Sequence, residues 1–180
     1  MIPYVDHWHT ANVLDDLGNA QDQDTRDLFL ASISFRAFAL EAFLNHVGQE
    51  VFQSHWKKSE PCTVRKKIDK LLEFNSLQAD YGMNPWLVVP QLVAFRNKVV
   101  HGKTKYQKSE PASLSDVYER GFYSALRFDW QESATSQGSN HVRQQTEQVM
   151  ISIWLSVGRL AESLFRRGVQ YPPIEIESEA

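Results

Sequence analysis

Between about Thr25 and Phe52 the sequence carries apolar residues at helical spacing on two sides at once. Phe29, Ile33, Leu40, Phe43, Leu44, Val47 and Val51 form a main stripe at about 100° per residue. Leu28, Ala31, Phe35, Phe38 and Ala42 form a second stripe on the far side. A helix that is apolar on two sides lies at the centre of a bundle or covers a partner subunit with its second face. Arg36 intrudes on the main stripe. Glu41 and Asn45, four apart, share the strip between the two.

The rest of the chain supplies helices to surround that centre. Residues 4–18 read as a first helix with Val13, Leu14 and Leu17 on its inner side and Gly18-Asn19 as its stop. Residues 20–25 read as a polar linker from which Asp24 or Thr25 can cap the long helix. A polar loop over 53–62 leads to Thr63, which can cap a short basic helix reaching about Phe74 with Ile68, Leu71 and Leu72 inward. A loop over 75–85 precedes an apolar helix from about Leu87 to His101, with Pro90 either in its first turn or kinking it. Ser113 or Ser115 can cap a further segment with Leu114, Val117, Tyr118, Phe122, Ala125 and Leu126 at helical spacing. Arg127–Asn140 reads as loop, and a final helix spans about Ser139 to Arg167, stopped by Gly168. The fold class is therefore all-α, a four- to five-helix up-and-down bundle. Residues 1–170 make one domain with a polar insertion at about 103–138, followed by a flexible acidic tail over 171–180.

Composition narrows the function classes. Of the 180 residues, 42% are hydrophobic and 23% charged, as in a soluble globular chain. A single cysteine, Cys62, excludes an internal disulfide and a cysteine-based zinc set, and fits a reducing cytoplasm. His7 and His9 flank Trp8, but a spacing of two does not put both imidazoles on one helix face, so no metal site is expected there. No signal peptide is read at the start, and the apolar run near Trp86–Phe95 is broken by Pro90 and too short to span a bilayer. The net charge of −3 is unevenly spread: residues 1–27 hold six Asp and one Arg, whereas Arg96, Lys98, Lys103, Lys105 and Lys108 meet no acid between 96 and 108. No Gly-rich phosphate loop or hydrolase triad order is present, and no cofactor is implied.

The chemistry concentrates at the end of the apolar helix. Arg96 falls near the middle of a stripe made by Val88, Val89, Leu92, Val93, Phe95, Val99 and Val100. A guanidinium there needs an acceptor or a cleft, because burying an isolated charge costs several kcal/mol. Glu41 is either that acceptor or a solvent-side carboxylate with no special partner. Asn97 and His101 are four apart on one flank, and Arg96 and His101 are about 140° apart on an ideal helix. On residue types alone, Arg96 can equally bridge helices, with Asn97 and His101 closing the helix end, where His suits the dipole.

Arg96-Asn97-x-x-x-His101, together with the earlier Glu41/Asn45 helix and the Lys66–Leu72 helix between, resembles the HEPN superfamily of helical ribonucleases and nucleotide-binding domains over roughly residues 25–102. The resemblance implies a metal-independent endoribonuclease of the toxin or phage-defence type, acting on RNA as a homodimer with a composite site. It implies that Arg96 stabilises phosphate, that His101 does the general acid/base work, that Asn97 orients them, and that Glu41 and Asn45 support the site. Lys98, Lys103 and Lys105 would make a phosphate track. An antitoxin-like partner protein would fit that setting. The other reading is a non-catalytic helical module that binds a nucleotide or a partner protein through the same groove.

Overall fold

The computed structural model describes residues 2–22, 25–100 and 134–166. Among these residues are five α-helices and two short 3-10 turns, with no strand. The helices are α1 (Pro3–Asn19), α2 (Arg26–Phe52), α3 (Val64–Glu73), α4 (Val88–Val100) and α5 (Ser136–Ser156). The all-α reading holds. The expected helix over Ser113–Leu126, most of the polar insertion and the tail lie outside the described residues.

Helix α2 packs against each of the other four helices. Every member of its main stripe is buried, at about 1.5–3 kcal/mol for each fully buried aliphatic or aromatic side chain. Its second stripe is only partly covered, and Phe38 is exposed. Helix α3 starts at Thr63, whose hydroxyl accepts from the Lys66 amide at 3.4 Å. Helix α4 carries Pro90 in its first turn, where a backbone N–H would have no intrahelical acceptor, so the donor that proline lacks is not missed. No helix among the described residues is long and apolar enough to cross a membrane.

Four expectations need correction. Helix α1 turns a different face inward: Val13 and Leu17 are exposed, while Tyr4, Val5, Trp8, Ala11 and Asp15 are buried. The cause is Arg36 on α2, which is fully buried and donates from Nη2 to Asp15 Oδ2 at 2.8 Å and to Asn12 Oδ1 at 2.7 Å. Its guanidinium also lies 4.1 Å from the Trp8 ring centroid, and Ser139 of α5 donates to the other Asp15 oxygen at 2.5 Å. Burial lowers the Arg36 pKa from its ordinary value, and Asp15 opposes that shift.

The segment after α2 is not merely a polar loop. A 3-10 turn over Gln53–Lys58 drives Trp56 into the core, stacked on Phe52 at 5.8 Å and seated against Gly48. Third, α5 begins inside the stretch read as loop, because the Thr135 hydroxyl accepts from the Gly138 amide at 3.0 Å and caps it.

Fourth, α5 ends at Ser156 and does not reach Arg167. Gly158 takes a φ of 77°, with the Gly158 amide on Leu155 O and the Arg159 amide on Trp154 O. Those two bonds form a Schellman stop. The indole of Trp154 then donates to Leu160 O at 3.0 Å and Ser163 Oγ at 3.1 Å, which folds the following residues back over the bundle.

Candidate functional site

Helices α2, α3 and α4 each contribute one charged side chain to a single cluster. Val88, Val89, Leu92 and Phe95 anchor α4 in the core, which leaves Arg96 on the margin of its buried stripe. The Arg96 side chain is 28% exposed, so its guanidinium is neither sealed in nor free in solvent. Nη1 donates to Glu41 Oε2, and Nη2 donates to Asn97 Oδ1 at 3.3 Å. The acceptor that Arg96 requires is thus Glu41, and not solvent. From α3, Lys67 places Nζ 3.7 Å from the other Glu41 oxygen, with its side chain only 1% exposed.

One carboxylate therefore holds two cations, and the cluster carries one formal positive charge more than it neutralises. The convergence of Lys67 was not foreseen, although a signal was present. Val64, Lys67, Ile68 and Leu71 share one face of α3, so a lysine on that face needed an acid as much as Arg96 did.

The remaining sequence candidates separate. Asn45 sits one turn beyond Glu41 on α2, and its buried Oδ1 has no hydrogen-bond partner among the described residues. Lys98 is exposed and lies about 200° round α4 from Arg96, so it does not share that face. His101, Lys103 and Lys105 lie outside the described residues.

A pocket of about 330 Å³ opens beside the cluster, along the second stripe of α2. Leu30, Ala31, Phe35 and Phe38 line it from α2, and Arg96 and Val99 from α4. The ring of His7 packs at 5.8 Å from Phe35 and 6.1 Å from Phe38, so His7 serves an aromatic contact. Among the described residues no group of three or more His, Cys, Asp or Glu side chains could hold a metal ion.

A second polar centre lies about 140° round α2 from Glu41. His46 Nε2 is 3.4 Å from Glu50 Oε1, and Arg159 Nη2 donates to Glu50 Oε2 at 3.3 Å. The Tyr4 ring packs on His46 at 5.3 Å. Burial lowers the His46 pKa from its usual value, Glu50 raises it and Arg159 lowers it further. This centre joins α1, α2 and the turn after α5, and does not touch the Arg96 cluster.

A scan against protein-family models matches no family, and searches of curated proteins and of solved structures return no match.

Proposed function

We propose that the chain is a metal-independent endoribonuclease that works as a homodimer, built as an up-and-down, HEPN-like bundle and acting in the cytoplasm. The observation that carries this reading is the guanidinium of Arg96, held by Glu41 beside the buried Lys67 at the edge of an open pocket. An arginine has five N–H donors, and the two contacts described use two of them. The rest suit the non-bridging oxygens of a phosphodiester, and the surplus positive charge favours an anion there. Glu41 fixes the fork before substrate arrives, so less order is lost on binding.

In this scheme the ribose 2′-oxygen attacks phosphorus as its bond to the 5′-oxygen breaks. Arg96 stabilises the charge that accumulates on the phosphoryl oxygens. His101 takes the 2′-hydroxyl proton or supplies one to the leaving 5′-oxygen, and Asn97 orients the pair. Acid and base roles ask for two imidazoles, which a second protomer supplies. An antitoxin-like protein would act by covering this face.

A second reading has its own observation. Because Glu41 already engages Arg96, the same face can serve as a non-catalytic module for a nucleotide or a partner protein.

The test is cleavage of structured and single-stranded RNA with and without EDTA, by the wild type, Arg96→Ala and His101→Ala. EDTA-resistant cleavage lost in both variants, with folding intact, is the expected result. A wild type no more active than its folded variants would remove the nuclease reading.

A further inference from the structure

The pocket along α2 and the charged cluster share one residue, Arg96, which is part of the wall of the first and the core of the second. The geometry points to a subsite for one nucleotide, with the base in the apolar pocket and its phosphate on Arg96. The inference rests on the reading of the chain as an RNA-binding protein and adds which part of the ligand goes where.

Three features carry it. The first is polarity along α2. Phe38 and Glu41 are three residues apart and adjacent on the helix, so the Arg96–Glu41–Lys67 cluster lies at the Phe38 end of the pocket. Asp27 stands at the other end, about 16 Å of helix away, and repels an anion. A ligand negative at one end and flat and uncharged along its body is therefore seated in one direction.

Aromatic surface is the second feature. Phe35 and Phe38 meet edge to face at 6.0 Å and both line the pocket, with Phe38 exposed. An exposed aromatic ring is the kind of surface a base stacks on, and base–aromatic stacking is tolerant of sequence. The third is size, since about 330 Å³ is at the small end of ligand pockets and fits one nucleotide better than a peptide segment.

The test is calorimetric titration of the full chain with adenosine 5′-monophosphate, uridine 3′-monophosphate, ribose 5-phosphate and inorganic phosphate. The nucleotides are expected to bind about tenfold more tightly than ribose 5-phosphate, from the worth of one stacked base. Ala31→Phe fills the pocket and should abolish that tenfold difference while leaving ribose 5-phosphate binding unchanged. Phe38→Ala removes an exposed ring, tolerates folding better, and should reduce the difference several-fold. Arg96→Met should weaken all four ligands.

Equal binding of nucleotide and ribose 5-phosphate, or full nucleotide binding by folded Ala31→Phe, would overturn the subsite. So would a chain that ignores nucleotides but dimerises through this face and turns monomeric on Phe38→Ala. RNA cleavage that persists unchanged in both pocket variants sinks the subsite and leaves the nuclease reading standing. Nucleotide binding through the pocket without RNA cleavage does the reverse.

Discussion

Replacing Asp15 with alanine strands a buried cation. Arg36 is fully buried and Asp15 is 2% exposed, so water cannot take over the lost contact. The change deletes the 2.8 Å bond from Arg36 and the 2.5 Å bond from Ser139. What remains for Arg36 is Asn12 Oδ1 at 2.7 Å and the Trp8 ring at 4.1 Å. Removing one partner of a buried ion pair costs about 3–5 kcal/mol, and the surviving contacts favour the lower end. Against a domain stability of about 5–15 kcal/mol, that is a large fraction. At about 2–4 °C per kcal/mol for a chain of this size, the melting temperature should fall by about 10 °C. Arg36 Nε and Nη1 already lack hydrogen-bond partners among the described residues, so the pair is incompletely satisfied even in the wild type. The double change Asp15→Leu with Arg36→Met should therefore recover most of the loss and end within about 1 kcal/mol of the wild type. Urea and thermal denaturation followed by circular dichroism measure both. A single variant that loses less than about 1 kcal/mol, or a double variant no better than the single, refutes this account of the α1–α2 contact.

Two further outcomes are expected. Gly48→Ala places a Cβ 2.1 Å from the Trp56 indole, so the ring must leave its seat at about 1–3 kcal/mol, visible as a lower urea midpoint and a shift in tryptophan emission. His46 has a lowered pKa in the folded chain, so the unfolded chain binds the extra proton first. Stability is then full above the unfolded value near 6.5 and declines as the pH falls below it. His46→Gln should flatten the stability profile between about pH 7 and 5, with Glu50, Arg159 and Tyr4 unchanged around it; an unaltered profile excludes His46 as the source.

What the sequence disclosed follows from the range over which its signals act. The main stripe of α2 was readable because seven apolar side chains repeat on one face, and every one is buried. That Arg96 needs an acceptor was readable, since a guanidinium on an apolar stripe cannot stand unpaired, but the sequence left Glu41 open between that role and a solvent-side carboxylate, and the structure chooses the first. The inner face of α1 was not, because the residue that sets it, Arg36, lies 21 positions beyond Asp15 on another helix. Local pattern reading treats Asp15 as a solvent residue and Leu17 as core, and a single buried pair reverses both. Gly158 was overlooked as a stop because the apolar stripe runs on through Leu160 and Leu164. The structure uses those positions differently, with Leu160 exposed and Leu164 buried. Lys67 was passed over because it stands in a basic run, where a lysine is ordinarily solvated.

The hydroxyl of Tyr4 donates to Leu164 O at 2.7 Å, and Trp8 lies flat on Phe165 at 4.4 Å. The first of these contacts joins positions 160 apart in the chain, whereas Arg36 and Asp15 are separated by 21. Closing the longer span costs about 2 kcal/mol more in chain entropy. A ribosome makes the protein from its first residue, so α1 and α2 can pair while Leu164 and Phe165 have yet to be added. Until then Tyr4 and Trp8 are covered by α2 on one side, through His46 and Arg36, and lack the cover that Leu164 and Phe165 give the other. The last turns of the described fold act as a latch, and a nascent chain halted before them would be a client for a chaperone.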